Sequence, residues 1–456
     1  MTAPESAQPA ETEARPGFFE VLAVYLKPRV LIVLFLGFSS GLPLVLSGAT
    51  LQAWMKTSGV DIRTIGLIGA VGIPYSIKFL WAPVVDALDV PLLSRWLGRR
   101  RGWLIFSQLL LMAAIVLLAF ADPVATPWLI AGGALAVAAA SATQDIVIDA
   151  FRVESLPEDE QAAGMASYVA AYRVGMLVAG AGALVLVARL DALGFSLARA
   201  WTMTYIVMAV LVLVGVAATL AGTEPAKSAA AEADHVHHAA ESPLRRAVTA
   251  AVASFTEFLS RDMAWAILLF VALFKIADAL AYALITPFVL DLKFSLEQLA
   301  AVTKGVGFAA TLLGGFAGGF IARSYPLSRS LWIGGLLQTV TILLFSAQAV
   351  VGLNLPVLTA VITVAYFADA MGTVIFVAYL SALCRNPLHT ATQYALLTAL
   401  AALGRNVFSI GTGYLVHAVG WFWFFAVCAT AALPGLLLLA FLQSREHFAG
   451  LEPKRK

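Results

Sequence analysis

The sequence predicts an all-α membrane protein: twelve transmembrane helices in two six-helix halves, with both termini cytoplasmic. Three observations predict it. Of 456 residues, 61% are apolar and only 12% charged, with a mean hydropathy of +0.88, whereas soluble domains carry about 25% charge. At about 20 apolar residues per span, this supply matches roughly a dozen spans. Lysine and arginine also fall unevenly between the two sides of the layout. The same composition excludes intrinsic disorder. Two cysteines inside apolar runs, Cys384 and Cys428, exclude a secreted disulfide scaffold. A net charge of only +2 gives no reason to expect nucleic acid.

Taken in order, residues 1–28 are Ala/Glu/Pro-rich and lack the apolar stretch of a signal peptide, so they read as a cytoplasmic tail. Polar punctuation then cuts six candidate spans, 30–55, 63–86, 102–121, 128–153, 162–188 and 201–221, which make a bundle over 29–222. Residues 223–262 form a cytoplasmic linker, of low complexity from Lys227 to Ser242. An amphipathic helix lying on the membrane is expected there around Arg245 to Phe258. His235, His237 and His238 have no cysteines nearby and read as solvated linker, so no metal is expected. Six further spans, 263–288, 298–322, 330–350, 355–384, 391–417 and 420–442, make the second bundle over 263–443, and 444–456 is a cytoplasmic tail. These runs are too long for β-barrel strands of about ten residues.

With the N-terminus inside, eighteen of the 29 Lys/Arg fall on the cytoplasmic side and five, Lys56, Arg63, Arg189, Arg199 and Lys293, outside. Trp54, Trp128, Trp201, Trp421 and Trp423 at the outer ends, with Trp103, Trp265 and Trp332 at the inner ends, fit an interfacial belt. At an offset of 232 residues Gln161 falls on Gln393 and Arg173 on Arg405, a faint internal repeat. Two six-helix halves, inside termini and a long cytoplasmic linker together resemble a major facilitator. Gly37 with Gly41, and the run Gly314 to Gly319, supply small residues for close helix packing. Pro43, Pro74, Pro83 and Pro287 are expected to kink their spans.

Nine ionisable groups sit at membrane depth: Lys78, Asp145, Asp149, Arg173, Lys275, Asp278, Lys304, Asp369 and Arg405. Facing lipid, each would cost about 2.5–3.5 kcal/mol, so they must face one another or a wet cavity. Asp145 and Asp149 lie one turn apart with Arg152 on the same face. Two carboxylates so placed disfavour simultaneous ionisation, as proton coupling requires, and Arg152 and Arg173 oppose that effect. Lys275 and Asp278, at i, i+3, are expected to neutralise each other, and Asp369 has no basic partner nearby in sequence. Asp145, Asp149, Asp369 and Asp278 are therefore the candidates for proton coupling. Asp86 followed by Arg99, Arg100 and Arg101 gives an acidic-then-basic loop after span two, expected to act as a gate latch. A phosphate loop, a zinc pattern and a Gly-x-Ser-x-Gly elbow are all missing, so no enzyme and no catalytic residue is expected.

Three blocks carry a family resemblance: Gly37-Phe38-Ser39-Ser40-Gly41-Leu42-Pro43-Leu44 through Met55 in span one, Lys78-Phe79-Leu80-Trp81-Ala82-Pro83 leading to Gly98–Trp103, and Ser141-Ala142-Thr143-Gln144-Asp145-Ile146-Val147-Ile148-Asp149-Ala150 in span four. Together they resemble the AmpG-type muropeptide permeases, a branch of the major facilitators. The resemblance covers roughly residues 30–190 and is mostly architectural beyond the linker. It implies a multi-pass protein of the bacterial inner membrane importing anhydro-muropeptides from periplasm to cytoplasm. The proton gradient would be its energy source, with no cofactor, and its partners an anionic sugar-peptide, protons and the bilayer, for a monomer. Carboxylates of such cargo would be held by Lys78, Arg173, Lys275, Lys304 and Arg405. Its sugars would stack on Phe38, Trp54, Tyr75 and Tyr172, beside Gln144. Ser381 stands where the offset places the mate of Asp149, so Asp145 and Asp149 lead the expectation and the second half is the less charged partner. Acetyl-CoA transporters resemble the same span-four block, which leaves acyl-CoA, a peptide or a siderophore as alternative cargo. A sensor would usually append a soluble domain, for which the tails are too short.

Overall fold

The computed structural model describes residues 23–225, 259–260, 262–383 and 390–451. The two expected tails beyond these bounds, the linker histidines and the expected amphipathic helix lie outside the described residues. Every regular element among the described residues is helical. The first is α1 (Pro28–Thr57), followed by a broken segment at 62–87, labelled α2. Then come α3 (Arg99–Ala119), α4 (Pro127–Ser155), α5 (Ala163–Ala192) and α6 (Leu197–Ala221). The second half holds α7 (Ala264–Asp291), α8 (Leu296–Ala322), α9 (Leu327–Val351), α10 (Leu355–Leu383), α11 (Thr390–Ser409) and α12 (Thr412–Ser444). All but α2 and α11, ten in number, are long and apolar enough to cross a membrane.

The two exceptions differ from the sequence expectation for local reasons. Span two is not one helix: two 3-10 stretches, Leu67–Gly72 and Lys78–Leu80, separate the short helices Ile62–Gly66, Ile73–Ile77 and Ala82–Ala87. Pro74 and Pro83 each sit at the start of one of those helices, where a missing N–H costs nothing. Span eleven stops at Ser409 and resumes at Thr412. Its continuation runs to Gly420, whose φ of +75° and ψ of 170° turn the chain into the last span. Only glycine adopts that backbone readily, and the break falls at the expected boundary between spans eleven and twelve.

Three long helices loosen into a π-turn: Leu46–Thr50 in α1, Val178–Gly182 in α5 and Ala301–Val306 in α8. A π-turn leaves backbone groups in need of partners inside a bilayer. In α1 they are found: Ser47 donates to the Pro43 carbonyl at 2.7 Å, and Tyr205 donates to that of Leu46 at 3.0 Å. Thr50 donates to Ala179 of the α5 π-turn at 2.7 Å, joining two loosened turns.

Within the first half, α5 lies along α1, where a Cβ on Gly37 would come within 2.5 Å of the Tyr168 carbonyl oxygen. Within the second, α8 lies along α10, with Gly318 as close to Met371. Between the halves the contacts gather at one end of the molecule. Lys56 pairs with Asp291, Arg189 with Glu297 at 3.7 Å, and Gln52 donates to the Ala283 carbonyl at 2.9 Å. Beside them α2 crosses the start of α12 so tightly that a Cβ on Gly66 would lie 2.5 Å from the Gly413 nitrogen. Trp421 ties down the same end by donating to Asp291 at 3.0 Å.

Candidate functional site

A cavity of about 640 Å³ lies between the halves, within the usual range of about 300–1,000 Å³ for small-molecule sites. The joined end closes it beside Gln52, and its lining runs to Leu380 near the far end of α10. The first half lines it with apolar and neutral groups, including Ser47, Gln52 and Tyr75. Among the described residues the second half supplies every charged group of the lining: Lys275, Asp278, Asp369 and Arg405.

Three of those four form one cluster. The Lys275 ammonium donates to Asp278 at 2.6 Å and to Asp369 at 2.9 Å. Lys275 lies where α7 breaks, just before the helix resumes at Ile276, and this puts its side chain against α10. Asp278 is buried, with Oδ1 lacking a hydrogen-bond partner among the described residues, whereas the Asp369 side chain is 38% exposed. Asp369 is thus not the isolated carboxylate its sequence neighbourhood predicts, because its basic partner comes from another helix. Arg405 is exposed on the cavity wall and, among the described residues, makes no ion pair or hydrogen bond. Its neighbour Asn406 also lines the cavity and donates to Ser76 of the first half at 3.0 Å.

The expected first-half site is built differently. Asp145 is buried between α4 and α1, accepting a hydrogen bond from Ser40 at 2.5 Å, with the Lys78 ammonium 4.0 Å away. Ser40 in turn shares a hydrogen bond of 2.9 Å with Tyr168. Asp149 does not join this network: it is exposed, 3.9 Å from Arg152. Gln144 is fully buried against Ser39. Trp54 is 2% exposed and packs on Trp201 and Tyr205, too enclosed to stack on a solute. Phe38 and Tyr172 are half-buried outside the cavity lining, and Arg173 is exposed outside it. Lys304 also misses the cavity, since its stem lies over Gly180 in the seam between α8 and α5. Of the residues expected to hold substrate, Tyr75, Lys275 and Arg405 line the cavity.

The basic triad has partners that sequence reasoning missed. Arg100 forks onto Glu154 at the end of α4, at 2.6 and 3.0 Å, with Arg99 at 3.8 Å from the same carboxylate. The backbone N–H groups of Arg100 and Arg101 donate to Glu224 at 2.8 and 3.0 Å, an anion at the N-terminus of α3. Arg101 donates to the carbonyls of Thr219 and Leu220, capping α6. The Asp86 side chain lies outside the described residues. Proximity in sequence suggested Asp86, while Glu154 and Glu224 approach only after α4 and α6 return the chain to the same face. Gln52 and Asn406 were visible only as polar residues inside apolar runs.

Two helical halves around one charged cavity, joined at one end, are the build of a secondary transporter. The sequence model for the major facilitator superfamily matches residues 30–404. The anhydromuropeptide permease of Escherichia coli K12 is 38% identical over 422 residues, 92% of this chain and 81% of that one. An uncharacterized protein of Haemophilus influenzae is 35% identical over 419 residues, 90% of this chain and 93% of that one. Solved transporters share the fold at low identity: a nucleoside transporter has a TM-score of 0.65 at 16% identity, covering 93% of this chain and 100% of that one. A bacterial homolog of the human lysosomal transporter Spinster, inward-facing and unoccupied, has a TM-score of 0.61 at 15% identity, covering 94% of this chain and 96% of that one. The chain therefore belongs to the major facilitator superfamily and, within it, to the AmpG-type permeases. It is a multi-pass inner-membrane protein and a transporter, not an enzyme.

Proposed function

We propose that this permease imports anhydro-muropeptides, sugar-peptides bearing carboxylates, from periplasm to cytoplasm in symport with protons. The observation that carries the cargo is the 38% identity to the Escherichia coli anhydromuropeptide permease across 92% of the chain. The cavity agrees with it: Arg405, without an ion pair among the described residues, offers its guanidinium to a carboxylate, and Tyr75 and Gln52 offer an aromatic face and an amide to a sugar. The positive-inside bias supports a cytoplasmic Arg99–Arg101 end, and on that reading the joined end faces the periplasm and the cavity opens inward. Import then requires the seam of Lys56–Asp291, Arg189–Glu297 and Gln52–Ala283 to part. The π-turns of α1, α5 and α8 give the helices at that seam a place to bend.

Proteoliposomes supply the test. Labelled GlcNAc-anhydroMurNAc-peptide should accumulate when the outside is made acidic, and a protonophore should abolish the accumulation. Uptake indifferent to the gradient would remove the coupling. Absence of uptake by correctly inserted protein, with uptake of an acyl-CoA or a simple peptide instead, would replace the cargo.

A further inference from the structure

We propose that the transported proton rides on Asp369, and that a substrate carboxylate held by Arg405 is what draws it there. The argument is one of charge balance and rests on the symport reading above. Among the described residues four charged side chains line the cavity, two carboxylates and two cations, so the charges of its wall sum to zero. The division is uneven. Asp278 and Asp369 share the single ammonium of Lys275, which leaves their cluster one negative charge in excess, while Arg405 is one positive charge in excess. Each excess compensates the other across the cavity.

A carboxylate bound at Arg405 cancels that compensation. The cluster is then left with an unbalanced negative charge in a low-dielectric enclosure, where such a charge is costly. One proton on a carboxylate oxygen removes it: the O–H bond forms on Asp369, the cluster changes from −1 to 0, and Lys275 keeps Asp278 as a one-to-one pair. The bound anion and the bound proton thus favour each other, which is the reciprocity that symport needs. When the substrate leaves to the cytoplasm, Arg405 is free again and the proton is lost to water on the same side.

Geometry selects Asp369 over Asp278. The Asp369 side chain is 38% exposed to the cavity and that of Asp278 only 7%, so water reaches the first. Lys275, Asp278 and Tyr282 face Asp369 from α7, Arg405 shares its cavity from α11, and Tyr366 lies on its own helix. From α9, Gln338 bonds only its carbonyl oxygen, at 3.3 Å, and Lys304 of α8 points to α5 instead. The first-half carboxylate Asp145 is separate from this cavity and already has Ser40 and Lys78.

Proton uptake by the purified full-length protein, in lightly buffered solution, tests the assignment when GlcNAc-anhydroMurNAc-peptide is added. The wild type should take up about one proton per ligand bound, and its affinity should weaken about tenfold per unit rise in pH over the range in which that uptake is seen. Asp369→Asn should bind with no proton uptake and a flat pH profile, and Asp369→Glu should restore both. Asp278→Asn leaves a balanced Lys275–Asp369 pair and should also lose the uptake, which covers the case that Asp369→Asn fails to fold. Retained uptake in Asp369→Asn, or its loss in Asp145→Asn alone, would overturn the proposal; should Asp369→Asn fail to fold, retained uptake in Asp278→Asn would do the same. A wild type that takes up no proton and ignores a gradient in proteoliposomes would instead defeat the symport reading, and this inference with it.

Discussion

The two halves of this transporter handle charge in opposite ways. In the first, Asp145 is committed to Ser40 and Lys78, Arg100 to Glu154, and the start of α3 to Glu224 just past the end of α6. None of these groups lines the cavity. In the second, two carboxylates compete for one lysine on the cavity wall, beside an arginine that makes no ion pair among the described residues. Charge that is locally neutralised holds helix ends together and makes a stiff body. Charge left unbalanced at a cavity is costly in the empty state and so becomes available to a solute. The halves share a fold and even a pair of arginines at equal positions, Arg173 and Arg405, yet only Arg405 lines the cavity.

That pair offers the sharpest way to break the comparison. Removing a charge-assisted contact to a bound carboxylate costs about 2–5 kcal/mol, a fall of at least about 30-fold in uptake efficiency. Arg405→Gln should show that loss in initial uptake rates, with normal amounts of protein in the membrane. Arg173→Gln, exposed and outside the cavity lining, should stay within about threefold of the wild type. Equal losses in the two variants would mean that both halves hold the cargo.

The first half should fail in a different currency. Glu154→Gln removes the carboxylate under the Arg100 fork, where hydrogen bonds to a charged group contribute about 1.5–3 kcal/mol. Glu154 is itself 31% exposed, so the loss belongs at the lower end, about 1–2 kcal/mol. It should lower the thermal midpoint of the detergent-solubilised protein while substrate affinity is kept. A loss of affinity with an unchanged midpoint would move this arginine cluster from scaffold to binding.

This contrast also explains what could be read without the structure. Span positions followed from apolar run length, because a bilayer fixes how much chain must be apolar. The break of α2 at 62–87 did not, since 3-10 and α segments draw on the same apolar residues. All nine membrane-depth charges stood out in the sequence, but partners on other helices did not. Lys275 and Asp278 are neighbours on one helix turn and were paired correctly, whereas Asp369 lies 94 positions from the same lysine. The sequence expectation favoured the first half because its motifs are denser. Among the described residues, Asp145 of that half lies in the packing of α1, α4 and α5, and the charges that line the cavity come from the second half. Trp54 misled for a related reason: an aromatic in a span can face solute, lipid or core, and here Trp201 and Tyr205 occupy its faces.

The seam between the halves tests whether they move as separate bodies. Lys56 and Asp291 are 20% and 31% exposed, so their pair contributes up to about 1 kcal/mol. Lys56→Ala should therefore shift the balance between closed and open periplasmic ends by up to about fivefold toward open. A membrane-impermeant thiol probe added from outside, acting on a cysteine introduced at Ile68, which is buried on the cavity wall beside the joined end, would report it as faster labelling. Gly413→Leu sharpens the same point, because a side chain there would meet the backbone of Ile62 and Arg63. It should hold the seam open and give labelling that substrate no longer slows.

The smallest effect is expected where charge is neither buried nor shared between halves. Asp122, in the turn between α3 and α4, accepts hydrogen bonds from the backbone N–H groups of Ala125 and Val124, at 3.0 and 2.8 Å, which lower its pKa. A carboxyl whose folded pKa is lowered adds stability that is present above its unfolded value, about 3.9. That stability is lost as pH falls through the folded value. Asp122→Ala should thus resemble the wild type in uptake, and any difference in thermal midpoint should shrink as pH falls below about 3.9 and vanish once it is below the lowered folded value. A strong uptake defect at neutral pH would show that this exposed turn takes part in the movement of the first half, which would then be less rigid than its internal ion pairs imply.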